Sequence, residues 1–124
     1  MISFYTLYTL SFCHWLFDFK CQTRNMANNK SKSNRALLHH VAVYTMGLVT
    51  MAMLNLPSFN TVAAYVAWVL TNSVMHAVTD YFTSRLSSAF YKNDDEHNFF
   101  ATIGIDQFIH AITLFGTFIY FTQP

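Results

Sequence analysis

Three pairs of one histidine and one aspartate stand four residues apart in this chain, which has only six histidines and six acidic residues. The pairs are His14 with Asp18, His76 with Asp80 and, in reverse order, Asp106 with His110. Residues four apart share one face of an α-helix, so each pair should point at a common neighbour. Imidazole and carboxylate together suit zinc, iron or manganese. The spacing therefore predicts one polar site built from several helices.

The segments that carry these pairs are long and apolar. No Asp, Glu, Lys or Arg occurs before Asp18, between Arg35 and Asp80, or after Asp106. Charged residues make up 10% of the chain, against about 25% in an ordinary soluble domain. A membrane span needs about 20 apolar residues, and four runs have that length: residues 2–19, 36–56, 62–82 and 99–121.

We therefore predict an all-α fold. It would be a single domain over residues 1–124, with four transmembrane helices in an up-down bundle and polar connections at 20–35 and 83–98. The alternative is a soluble helical bundle with a very apolar core. It is disfavoured because the two middle helices have no charged face.

The basic residues predict the orientation of the bundle. All seven Lys and Arg lie in the two polar connections or at their edges. The positive-inside rule then places both connections in the cytoplasm and both termini on the other side. The net charge of +1 argues against a nucleic-acid partner, so the expected partner is the lipid bilayer.

In that arrangement, the ionisable residues of all four helices meet near the cytoplasmic end. Of the adjacent His39 and His40, only one can face a shared site, because neighbours on a helix lie about 100° apart. The candidate metal ligands are His14, Asp18, His40, His76, Asp80, Asp106 and His110. Seven ligands suit two divalent ions, or one ion with outer carboxylates that orient the imidazoles. Zinc is the first choice, with manganese or iron as alternatives.

Two readings without a resident metal remain open at this stage. Histidine–aspartate hydrogen bonds could hold the helices together, or the titratable groups could form a path for protons or cations. The path is disfavoured because the ionisable groups stop halfway through the predicted bundle.

The chain contains four composite motifs: His14-x₃-Asp18-x₃-Gln22 with Lys30 downstream, His40 before Tyr44-Thr45, His76-x₃-Asp80-Tyr81, and Asp106-Gln107-x₂-His110. Together these motifs resemble a family of small bacterial and phage integral membrane proteins of unknown function. The chain has Ser84-Arg85 where the family often has a lysine. The resemblance favours His40 over His39, and it implies a bacterial inner membrane, or a host membrane for a phage protein.

The motif set is also similar to that of membrane-bound metal-dependent hydrolases. The first functional hypothesis is therefore hydrolysis of a lipid phosphate ester or another amphiphile at the cytoplasmic leaflet. A general base would come from Asp18, Asp80 or Asp106, and substrate would be held by Gln22, Lys30 and Gln107, with Arg35 as a further phosphate contact. The second hypothesis is a non-catalytic protein with a structural, regulatory or phage-exclusion role. Ala63-x₃-Ala67 could support a homo-oligomer.

Overall fold

The protein is all-helical, as predicted, in a computed structural model that describes residues 2–123. Its α-helices are α1 (Phe4–Trp15), α2 (Arg24–Asn29), α3 (Asn34–Leu54), α4 (Val62–Lys92) and α5 (Glu96–Thr122). A π-helical turn (Leu16–Lys20) continues α1, and a 3₁₀ turn (Leu56–Ser58) follows α3. Met1 and Pro124, the ends of the predicted domain, lie outside the described residues.

Side-chain caps define where the long helices begin. The hydroxyl oxygens of Ser33 and Thr61 accept the backbone N–H groups of Ala36 and Ala64, at the starts of α3 and α4. Asp95 caps α5, and hydrogen bonds from the side-chain and backbone amides of Asn98 lower the pKa of its carboxyl group. These caps satisfy N–H groups that have no partner within the helix.

Three helices in residues 2–123 are long and apolar enough to cross a membrane: α3, α4 and α5. The predicted fourth span at 2–19 is not confirmed. Its 12 α-helical residues are followed by 5 π-helical ones, a shorter helix than the other three. A hydropathy pattern cannot reveal this, because it does not report where the backbone changes from α to π geometry.

The predicted connection at 83–98 is mostly helical. α4 continues ten residues past its predicted end and reaches Lys92, so its 31 residues extend about 46 Å, well beyond a hydrocarbon core of about 30 Å. Polar residues after Phe82 indicate solvation, but no Pro or Gly interrupts the helix there. The turn to α5 is left to Asn93–Asp95, where Asp94 adopts a φ of 56°. The other connection likewise contains α2.

Four helices enclose the interior of the bundle. α1 packs on α3 and meets α5, α3 packs on α4, and α4 packs along α5. One half of the interior is apolar, around Leu48, Met51, Trp68 and Phe118. Large apolar side chains also face outward, including Val62 at 78% and Leu70 at 60% exposure. A surface of this kind fits a lipid environment, which covers it without cost.

Candidate metal centre

Four ionisable side chains from three helical elements meet in the polar half of the interior. Asp18 comes from the π-helical turn, His40 from α3, and His76 and Asp80 from α4; each is at most 3% exposed. We call them the central quartet. The structure brings these four of the seven predicted ligands together. His40 is buried and its neighbour His39 is exposed, as the resemblance implied.

The quartet is arranged around the Nε2 atom of His40. That atom lies 3.1 Å from Oδ1 of Asp18, 3.1 Å from Oδ2 of Asp80 and 3.1 Å from Nε2 of His76. Nε2 of His76 lies 3.6 Å and 3.8 Å from the same two carboxylate oxygens. Four potential ligand atoms therefore face one another across a small space, and they could hold a metal ion.

Hydrogen bonding alone accounts poorly for this arrangement. A single N–H on His40 Nε2 cannot serve all three of its close neighbours, and the two carboxylates supply no proton. Nζ of Lys30 donates to Oδ2 of Asp80, which leaves Oδ1 of Asp18 and the two Nε2 atoms to share that one N–H. His76 Nε2 has no other quartet atom within hydrogen-bond distance, so lone pairs are left facing each other. A cation at their centre would satisfy all four atoms. The Nδ1 atoms of both histidines have no hydrogen-bond partner in the described part of the chain.

A second group shares Asp80 with the quartet. Oδ1 of Asp80 lies 3.1 Å from Nε2 of His110, which in turn lies 3.4 Å from Oδ2 of Asp106. These three residues, called the second group, could also hold a metal ion. Asp106 accepts a hydrogen bond from the Thr83 hydroxyl. Thr83 was missed by sequence reasoning, although its position seven residues after His76 puts both on one face of α4.

His14, a predicted ligand, stands behind the quartet rather than in it. Its Nδ1 atom pairs with the Tyr44 hydroxyl at 2.9 Å and its Nε2 atom with Oε1 of Gln107 at 3.0 Å, while Asp18 is 3.8 Å away. Gln107 in turn donates to Oδ2 of Asp18 and to Oδ2 of Asp106, both at 3.0 Å. His14 and Gln107 thus orient the carboxylates.

Tyr44 is a second residue that sequence reasoning did not assign. Its ring stacks on His76, with centroids 3.8 Å apart and planes 12° apart. It lies four residues after His40 and therefore on the same face of α3. That spacing, together with the place of Tyr44 in the motif shared with the resembling family, could have identified it.

Asp18 is positioned by a close helix contact. Phe17, the preceding residue, packs on Gly47 of α3 so tightly that a Cβ atom there would lie 2.5 Å from the Phe17 ring. The absence of a side chain at Gly47 lets the π-helical turn approach α3. The π-helical turn has more residues per turn than an α-helix. It therefore departs from the 3.6-residue period on which the predicted pairing of His14 with Asp18 was based.

Lys30 reaches the site from the connection after α2. Its Nζ atom donates to Oδ2 of Asp80 at 2.7 Å, and its side chain is 19% exposed. The lysine predicted to bind substrate therefore neutralises a buried carboxylate. A buried charge without such a partner is costly.

A cleft of about 600 Å³ opens beside the site. Asp18, Asp106 and Gln107 form part of its wall, and the aromatic rings of Tyr91 and Phe99 form another part. Gln22, a predicted substrate-binding residue, lines the cleft without touching the quartet, and its Oε1 atom has no partner among the residues described.

A smaller pocket of about 260 Å³ adjoins the cleft and shares Ser31, Lys32 and Ser88 with it. Three cations line this cationic pocket: Lys32, Arg85 and Lys92. Arg85 is held by neutral oxygens, the Tyr81 carbonyl and Oδ1 of Asn34, each at 2.8 Å. Within residues 2–123, none of the three cations forms an ion pair. The pocket is therefore suited to an anion.

The chain belongs to the family described as "Protein of unknown function (DUF3307)", whose sequence model matches residues 6–123. The match assigns no activity and no source organism. No curated protein and no solved structure matches the chain.

Proposed function

We propose that this protein binds a divalent metal ion inside its helical bundle, with the central quartet as ligands. The supporting observation is the spacing of the four ligand atoms. Zinc bonds of 2.0–2.1 Å in a tetrahedron place ligand atoms about 3.3–3.4 Å apart. The five separations described here run from 3.1 to 3.8 Å and bracket that value. Zinc is the proposed ion, and manganese or iron would accept the same ligands.

The metal proposal is tested by thermal unfolding in detergent with zinc or with a chelator. A ligand at 1,000 times its Kd stabilises the native state by about 4 kcal/mol. Zinc should therefore raise the Tm of the parent and of His39→Gln, whose altered side chain is exposed. It should raise the Tm of His40→Gln less, because that variant lacks one ligand of the quartet. Equal rises in both variants, or none in the parent, would contradict the proposal.

A second candidate function is hydrolysis of an amphiphilic phosphoester, and the cleft is the observation that favours it. The cleft joins the quartet to the cationic pocket, where Lys32, Arg85 and Lys92 could hold a phosphate group. Aromatic residues on its wall could contact an acyl chain. An enzyme of this kind would act at the cytoplasmic leaflet of a bacterial inner membrane, with both termini on the other side.

In this reaction, water oxygen bonds to phosphorus as the P–O ester bond breaks, and the alcohol leaves with a proton. A divalent ion held by these His and Asp ligands would supply a bound water of lowered pKa and a Lewis acid for the phosphoryl oxygen. Asp106 stands at the cleft wall, where it could accept the water proton. Gln22 and Gln107 could orient the ester, and Lys30 could contact the phosphate if it left Asp80.

Phosphate release separates this candidate from a non-catalytic role. Metal-loaded protein would be mixed with vesicles that contain phosphatidic acid, and inorganic phosphate would be measured. Arg85→Met should slow the release, while Arg24→Met, outside both the cleft and the cationic pocket, should not. No release with zinc, manganese or iron would leave the structural, regulatory or exclusion role.

A further inference from the structure

We propose that the second group (Asp80, Asp106 and His110) holds a second metal ion, with Asp80 bridging the two sites. This inference rests on the proposed function of the central quartet. It goes beyond that function because it assigns a separate site with a different chemical character.

The two oxygens of Asp80 face different sets of ligands. Oδ2 lies 3.1 Å from His40 and 3.8 Å from His76, in the quartet. Oδ1 lies 3.1 Å from His110, in the second group. A carboxylate that presents one oxygen to each of two ligand sets is suited to bridge two cations.

The number of ligands differs between the sites, and so does their exposure. The quartet supplies four ligands and encloses its centre, as structural zinc sites do. The second group supplies three, which is the number in catalytic sites that leave one position for water or substrate. Asp106, the residue of the second group that borders the cleft, has a side chain that is 13% exposed, against 1% for Asp80. The open position therefore belongs to the second site, on the cleft side.

One amide group orients a carboxylate in each site. Nε2 of Gln107 donates to Oδ2 of Asp18 and Oδ2 of Asp106, at 3.0 Å each. Oδ1 of Asp18 is then left to face the quartet, and the Thr83 hydroxyl fixes the other oxygen of Asp106. Outer hydrogen bonds of this kind hold ligands in place at metal sites.

The test is the number of metal ions per chain. Parent protein would be loaded with Mn²⁺ in detergent, dialysed and analysed for metal and protein. We expect two ions per chain in the parent, one in His110→Gln and one in Asp106→Asn. His97→Gln, an exposed histidine outside both groups, should keep two. Asp80→Asn should lose both ions, because its side chain belongs to both sites.

The outcomes separate this inference from the proposal on which it rests. One ion in the parent, lost in His40→Gln, would overturn the second site and leave the first. No ion in a folded parent would overturn both. Loss of all metal in both His110→Gln and Asp106→Asn, at an unchanged elution volume, would also overturn the two-site arrangement.

Electron paramagnetic resonance gives an independent readout. Two Mn²⁺ ions joined by the Asp80 carboxylate are magnetically coupled, whereas a single ion gives the six-line spectrum of isolated Mn²⁺. The parent should show the coupled signal, and His110→Gln should show the isolated one. An isolated signal in a parent with two bound ions would contradict the bridge.

Discussion

Asp80 is the residue on which both groups of ligands depend. It is 1% exposed, and it contacts His40, His110 and Lys30 within 3.1 Å. A carboxylate buried this deeply persists only where cations or hydrogen bonds compensate for its lost hydration. Lys30 is the one permanently charged partner among these three, so its contact with Asp80 bears directly on metal binding.

Lys30→Met should tighten metal binding and destabilise the metal-free protein. The ammonium group contacts Oδ2 of Asp80, the atom assigned to the metal, so the two cations compete. Removing Lys30 should lower the Kd for zinc roughly tenfold, or about 1.4 kcal/mol. Without metal, a charged hydrogen bond worth roughly 1.5–3 kcal/mol is lost. Competition with a chromophoric chelator gives the Kd.

Lys32→Met is the matched control for this prediction. Lys32 is exposed and has no contact with the quartet, so its replacement should change the Kd little. Weaker binding in Lys30→Met than in Lys32→Met would show that Lys30 supports the metal instead of competing with it.

Two substitutions of Tyr44 separate the effect of its stacking on His76 from the effect of its hydrogen bond to His14. Tyr44→Phe keeps the ring against His76 and loses only the bond to His14, so metal affinity should change less than threefold. Tyr44→Leu loses the stack at 3.8 Å as well, and its affinity should fall roughly tenfold as His76 becomes free to rotate. Isothermal titration with zinc measures both. Equal zinc affinities for Tyr44→Leu and Tyr44→Phe would show that the Tyr44 ring does not position His76.

Individual residues of the site could be predicted where helical spacing alone determines which way the side chain points. His76, Asp80 and His110 were identified from pairs four residues apart within regular helices. His14 was assigned as a ligand although its ring turns toward Tyr44 and Gln107. Lys30 was predicted to bind substrate, and its contact with Asp80 joins positions 50 residues apart. Such contacts depend on how the connection folds back, which no local pattern encodes.

At the scale of elements, the contact between the π-helical turn and α3 sets the position of Asp18. Gly47→Ala should push Phe17 and its neighbour Asp18 away from α3, because the new Cβ would lie 2.5 Å from the ring. We expect a loss of roughly 1–3 kcal/mol in stability, as for other overpacked sites, and weaker zinc binding. Unfolding in denaturing detergent and zinc titration measure the two effects.

Gly116→Ala provides the matched comparison on α5. A Cβ atom at Gly116 meets nothing within 4 Å, so stability should stay the same or rise slightly, since alanine favours helix more than glycine does. Zinc affinity should not change. If the two variants bound zinc equally well, the contact at Gly47 would not be what places Asp18.

The existence of the long helices could be predicted from the sequence, but their lengths could not. Uncharged runs identified α3, α4 and α5. The extension of α4 to Lys92 was missed because polar side chains on an exposed helix resemble those of a loop. The π-helical turn was missed because a hydropathy pattern does not report a change of the backbone from α to π geometry.

In the molecule as a whole, apolar side chains face outward and the ionisable residues of the site are buried in the interior. Outward side chains such as Leu70 and Ile112 are 60% and 57% exposed, while the quartet is at most 3% exposed. The charged residues outside the interior lie beyond the predicted ends of the spans. They are grouped around α2 and at the end of α4. That distribution underlies the prediction that these regions face the cytoplasm.

Thiol labelling tests the orientation without a fused reporter. Cys21 is exposed beside the first basic connection, and Cys13 is buried. In bacterial cells, a membrane-impermeant maleimide should label Cys21 only after the inner membrane is permeabilised. Cys21→Ser should abolish the labelling, and Cys13→Ser should leave it unchanged. Labelling of Cys21 in intact spheroplasts would reverse the topology.

The metal content of the unaltered chain decides whether the helical bundle holds an ion. The protein would be purified in mild detergent without a histidine tag or chelator, resupplied with zinc, manganese or iron, dialysed and analysed for metal per chain. We predict at least one tightly held ion in the unaltered chain, and fewer ions per chain when Asp18, His40, His76 or Asp80 is replaced by its amide or by glutamine. A folded chain that retains no ion would contradict this prediction and leave a bundle held together by histidine–aspartate contacts.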